Sequence, residues 1–234
     1  MKMDLANAAV AAAPQVSLLD RMRPAVERTI ERLREKTFRE DPIGGRKYSR
    51  ATSIVSSAYK RHGQLIGQAL LERLKDCSRL QVWREEEFKL SHDSKTKLHL
   101  SQTIPHALAM RLPYGDIEQT IPIDLIVYDA EHGTLRSYNV KRGNGLYDAS
   151  KKRVLQDELI RTHMLLADYG TQFGHQLNES HAHIVFYYGL CSVAQPLSIS
   201  GDALDDHFGF PVFDAIEGVN DYFRSRLYAL IEEE

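Results

Sequence analysis

The chain has 234 residues, 43% of them hydrophobic and 26% charged, with a formal net charge of −2. That length and balance fit one large globular domain with its own core, and they exclude a basic protein that binds nucleic acid over its whole surface. Two cysteines, Cys77 and Cys191, and no CxxC exclude a disulfide framework and a cysteine zinc site, and fit a reducing cytoplasm.

No stretch reaches the ~18 apolar residues of a membrane span. The run Ala8–Ala13 has signal-peptide character, but Asp4 stands close before it and it lacks leucine. Met1 to Pro14 therefore reads as a frayed tail.

In chain order, Ser17 to Glu40 reads as an amphipathic helix, with Leu19, Met22, Val26, Ile30 and Leu33 at helical spacing. Pro24 either kinks it or marks its first turn, and Asp41 to Gly45 breaks the chain. Residues 1–45 thus form a tail and a helical arm, a candidate dimerisation surface, before a main domain over 46–234. Ser49 to Lys75 is a second helix with a wide apolar stripe suited to packing on a sheet. Leu80 to Leu90 and Thr96 to Ser101 read as strands joined by a turn at Ser91–Ser94.

Ile121 to Tyr128 reads as a buried strand, and Asp129 to Thr134 as a turn with Gly133 at positive φ. Leu135 to Lys141 is the return strand, ended by Gly143-Asn-Gly145. Asp148 caps a helix running to about Asp168, with Val154, Leu155, Leu159 and Leu166 inward. His181 to Leu190 is a further strand, and Pro211 to Glu234 a closing helix. The order predicts an α/β fold, a central mixed sheet flanked by helices.

The chemistry concentrates at Pro122-Ile-Asp124 and Asn139-Val-Lys141. Alternation puts Asn139 and Lys141 on one side of their strand, and the short turn pairs that strand with the one holding Asp124. An acid and a lysine in strands are costly alone. Together they suit a Mg²⁺-dependent phosphodiesterase. Asp124 supplies a hard carboxylate oxygen and Asn139 a weaker amide oxygen for the metal, and Lys141 offsets charge or holds the attacking water.

These residues resemble the PD-(D/E)xK nucleases, written here P-I-D and N-x-K. The resemblance spans Ser49 to Glu234 as an order of elements and only a few residues as a motif. It implies a restriction endonuclease-like αβββαβ core, a Mg²⁺ cofactor, double-stranded DNA as substrate and a homodimer most like a type II restriction enzyme. Asn139 departs from the usual acid. Glu158 or Asp157 on the following helix is a displaced metal ligand under this pattern. Glu72 resembles the family's helix-borne Glu, and Glu87 is a third candidate.

Lys141 and Arg142 lead into Lys151, Lys152, Arg153 and Arg161, cations beside a helix start where phosphates are favoured. Lys60 and Arg61, with Arg46 and Lys47 before them, form a second group. The bland alternative for both groups is a solvated helix face. His181 and His183 share a strand face without a third zinc ligand, so they read as structural. Asp205-Asp206-His207 reads as a turn, Cys191 as a small core residue, and Gly63 and Gly67 as a close-packing surface. Trp83, Tyr187 and Tyr188 read as core or edge aromatics, an exposed Tyr being able to stack on a base. The rival functions are an inactive DNA-binding or interaction module on the same fold, or a repair or recombination nuclease.

Overall fold

The computed structural model describes residues 16–233, so the N-terminal tail lies outside the described residues. Helix α1 spans Leu18–Arg34, and Ser17 caps it by accepting from the Asp20 N–H at 3.2 Å. Pro24 sits inside it, and the helix ends well short of Glu40. Asp41 holds the following turn, its Oδ1 accepting from the Ile43 and Gly44 N–H groups. Helix α2, Gly45–Leu74, begins earlier than its apolar stripe suggests. Strand β1 is Leu80–Leu90.

The expected strand at Thr96–Ser101 is instead helix α3, His92–Leu100. Ser91 decides this: its hydroxyl accepts from the Ser94 N–H at 3.1 Å and nucleates a helical turn. A short helix α4, Ile104–Leu108, follows. Strand β2 is Gln119–Asp129 and β3 is Thr134–Lys141. Gly133 between them has φ +62, and an added Cβ there would meet the Asn178 side chain at 2.8 Å. Asp148 caps α5, Ala149–Gln172, by accepting from the Lys151 N–H at 2.9 Å. Strand β4 ends at Phe186, earlier than expected, and spans Glu179–Phe186; Val154, expected inward, is exposed. Strand β5 (Ser198–Ser200), a 3₁₀ turn (Gly201–Ala203) and helix α6 (Leu204–Phe208) had no clear periodic signal. Helix α7, Phe213–Glu232, closes the chain.

The sheet has five strands in the order β1-β2-β3-β4-β5. β1, β2 and β3 form an antiparallel meander; β4 and β5 run parallel to β3 and β4 respectively. One face carries α1, α2 and α7 over Leu125, Val127, Tyr138, Val140 and Val185. The other carries α5 over Leu135, Ala182, Ile184 and Phe186. The α1 helix is no separate arm: Leu18, Met22, Val26, Ile30 and Leu33 are buried in the first of these cores. Its apolar stripe packs within the chain.

Candidate functional site

Gly67 brings α2 close to β3, since a Cβ on it would meet Val140 Cβ at 3.5 Å. Beyond the Leu125–Tyr138 pair the β2–β3 ladder stops. Side chains take over there. Asp124 Oδ2 accepts from the Val140 N–H at 2.8 Å, and the Asp124 N–H donates to Asn139 Oδ1 at 3.4 Å. The two strands part, and their freed backbone groups are satisfied by the acid and the amide. A cleft of about 670 Å³ opens at this end of the sheet, between α2 and β1–β3. Asp124 and Lys141 both line it.

The cleft is cationic. Lys60, Arg84, Lys141 and Arg142 face two acids, Asp124 and Glu86. Among the described residues Lys60, Lys141 and Arg142 make no ion pair, while Arg84 lies 3.9 Å from Glu86. A concave, unpaired positive surface favours a polyanion.

Several expected residues lie elsewhere. Glu72 is paired with Lys75 at 2.6 Å and does not line the cleft. The α2 residues that do include Gln64 and Gln68. Glu158 accepts from Gln119 Nε2 at 3.3 Å on the α5 side, and neither it nor Asp157 lines the cleft. Glu87 does not line the cleft, and Glu86 does: it continues the α2-facing alternation of Leu80, Val82 and Arg84. Lys151 lies 3.8 Å from Asp148, beside a neighbouring hollow that Lys141 also lines. Lys152 and Arg153 are exposed on the first turns of α5, and Arg61 is half-buried on α2. Arg46 and Lys47 are exposed at the start of α2.

Arg161 is not a phosphate contact. It is buried, donating to Ser94 Oγ and the Ser91 carbonyl at 3.0 Å each and to Glu118 at 2.5 Å. Cys191 is exposed rather than core. His183 donates from Nδ1 to the Pro196 carbonyl at 3.2 Å, an edge role. Asp205 lies in α6 and accepts from the Val212 and Phe213 N–H groups, holding the start of α7. The sequence reading missed Arg84, Glu86 and the two glutamines. The spacing of Gln64 and Gln68, each next to a glycine at i and i+4, was the available signal, because those glycines mark where the helix approaches the sheet.

Among the described residues no group of three His, Cys, Asp or Glu side chains is placed to hold a metal. The donors at the strand fork are one carboxylate and one amide oxygen. Mg²⁺ keeps most of its waters and is commonly held by one or two carboxylates, so this set fits a loosely held Mg²⁺ and not a dehydrated, protein-caged ion. No helix is long and apolar enough to cross a membrane among the described residues. Comparison of the chain with family models, curated proteins and solved structures found no match.

Proposed function

We propose that the chain is a Mg²⁺-dependent endodeoxyribonuclease that hydrolyses phosphodiester bonds of double-stranded DNA, on a restriction endonuclease-like core and as a homodimer. The observation that carries this reading is the fork between β2 and β3, where Asp124 and Lys141 line a cleft of positive charge and Asn139, outside the lining, accepts from the Asp124 N–H. The order helix, three-strand meander, helix, parallel strand supports it too.

Mg²⁺ at Asp124 and Asn139 would supply Lewis-acid charge and a more acidic water. The chain's own groups do the rest. The Lys141 ammonium lies beside the phosphate and offsets the negative charge that grows as water oxygen bonds to phosphorus. The P–O bond to one deoxyribose then breaks, and the leaving oxygen takes a proton. Arg142 and Lys60 hold flanking phosphates in register. The backbone bond from Val140 fixes one Asp124 oxygen and leaves the other for the cation.

Incubation with supercoiled plasmid tests this. Nicking or linearisation is expected with Mg²⁺ and none with EDTA. Asp124→Ala and Lys141→Ala should each slow cutting by at least about a hundredfold. Wild-type cutting by both variants would sink the assignment. One observation favours a second reading, the inactive DNA-binding module: a neutral Asn139 stands where a second acid would strengthen the metal site. Salt-sensitive DNA binding with no cutting of linear, nicked or branched DNA at any Mg²⁺ concentration would select it.

A further inference from the structure

A second cleft of about 400 Å³ lies on the far side of Arg142 from Asp124. Its walls come from α2 (Tyr59, His62), from α7 (Phe223, Arg224, Tyr228) and from Tyr188 just after β4. Tyr59 and Arg142 line both clefts and divide them. The Arg142 guanidinium lies 4.1 Å from the centre of the Tyr59 ring and 5.5 Å from that of Tyr188. Its Nε and Nη1 atoms are buried and have no hydrogen-bond partner.

The neighbouring acids are spoken for. Glu217 Oε1 accepts from the Tyr187 hydroxyl at 2.8 Å and from Asn220 Nδ2 at 2.7 Å. Arg224 is on Asp221 at 2.8 Å. Because Asn220 turns its amide nitrogen to Glu217, its oxygen faces His62 and accepts from Nε2 at 2.9 Å. That fixes the neutral tautomer of His62 and leaves Nδ1 as an acceptor. Burial holds His62 below the ordinary histidine range and outweighs the Asn220 bond, and the Arg142 charge pushes the same way. Nothing in this wall supplies the anion that a planar, stacked guanidinium is shaped to take.

We propose that the second cleft is a mononucleotide pocket, in which Arg142 takes a phosphate and the aromatic walls take the base. The volume exceeds what a phosphate alone fills and falls in the range of sites for small organic ligands. Tyr188 and Tyr228 are 40% and 57% exposed, so ring surface is open to stack on a base. The choice of a nucleotide rests on the nuclease reading. In that setting the pocket holds one unstacked nucleotide of the strand, next to the bond being cut, and Arg142 grips the phosphate between the two clefts.

Calorimetry on the full chain in EDTA tests this, with deoxyadenosine monophosphate, deoxyadenosine and inorganic phosphate as probes. The monophosphate should bind at least about tenfold more tightly than either part, each tenfold step being about 1.4 kcal/mol. Arg142→Gln should weaken it at least about tenfold. Tyr228→Ser, at an exposed position, should weaken it severalfold with an unchanged circular dichroism spectrum. Asp124→Ala should leave it unchanged. No binding by the wild type, phosphate as tight as the monophosphate, or wild-type affinity in both Arg142→Gln and Tyr228→Ser overturns the pocket. Failure of the nuclease reading looks different: nucleotide binding persists in EDTA while plasmid stays uncut with Mg²⁺.

Discussion

Arg142 and Arg161 lie on opposite sides of one sheet and meet opposite fates. Arg161, on α5, is buried among acceptors: a hydroxyl, a carbonyl and a carboxylate. Lys95 joins it on Glu118, so that charge is shared by two cations. Arg142, at the end of β3, is wedged between rings with two nitrogens that donate to nothing. The α5 side spends its polar groups on itself. The α2–α7 side leaves cations unpaired around two clefts. The lesson is that the partners of a buried charge, more than its place in the sequence, separate scaffold from site.

The largest effect should come from exchanging the two arginines for an apolar residue. Arg161→Met removes three hydrogen bonds from a buried charged donor, although Ser94 Oγ still donates to the Ser91 carbonyl and Lys95 still pairs with Glu118, at a cost of about 3 kcal/mol. Arg142→Met loses cation–π attraction of about 1 kcal/mol but relieves two unmade hydrogen bonds of similar size. Its stability should stay within about 1 kcal/mol of wild type. Urea unfolding measures both. Equal losses at the two positions would erase the contrast between the two sides.

A smaller effect separates the sides by pH. His163, on α5, donates from Nε2 to the Leu108 carbonyl at 3.0 Å and accepts at Nδ1 from the Ala182 N–H at 3.3 Å. That N–H lies on β4 before its pairing with β5 begins at Ile184, so the imidazole covers an open edge. Both ring nitrogens are committed in the neutral form. Burial, with Arg111 and His181 adding to it, depresses the pKa from 6.5 to about 4, against the Leu108 bond. The unfolded chain therefore binds the extra proton first as pH falls. The stabilising contribution is complete above 6.5 and lost on the way down to about 4, by about 1.4 kcal/mol per pH unit. His163→Gln should reduce the pH slope of unfolding free energy in that window by about one proton's worth. His183 and His207, held down to about 3 and about 4 chiefly by burial, continue to titrate in the variant. An unaltered slope would show that the imidazole is not neutral when folded.

The same contrast explains what the sequence made legible. Periodicity found α2, β1, β2, β3, α5 and α7, because each carries a long apolar face, and Asp148 and Gly133 marked two boundaries by their chemistry. The pairing of Asp124 with Asn139 followed from alternation and a short turn. Alternation failed at Thr96–Ser101, where a capping serine outweighed a two-residue pattern. At β1 alternation favours Glu86 over Glu87, since Glu86 shares the face of Leu80, Val82 and Arg84 at the cleft. Arg161 looked like the other cations because a charge run carries no information about acceptors 43 and 70 residues away in the chain. The second cleft depends on α7 meeting α2, a long-range contact with no local signature.

The smallest effects should fall at the acids that lie off the cleft. Glu72 holds Lys75 at 2.6 Å near the C-terminal end of α2, and a pair this exposed contributes about 0–1 kcal/mol. Among the described residues the Glu158 carboxylate meets only Gln119, at 3.3 Å. Neither carboxylate faces the fork, so Glu72→Ala and Glu158→Ala should leave plasmid cutting within about twofold of wild type, a change worth about 0.4 kcal/mol in barrier height. Glu86 shares the cleft with Asp124 and pairs only loosely with Arg84. Removing it leaves one acid among four cations, which strengthens DNA binding at low salt and weakens attraction for a divalent cation. Glu86→Gln should therefore raise the Mg²⁺ concentration needed for half-maximal cutting, an effect Glu72→Ala lacks. The reverse pattern would move the metal from the strand fork to the helix.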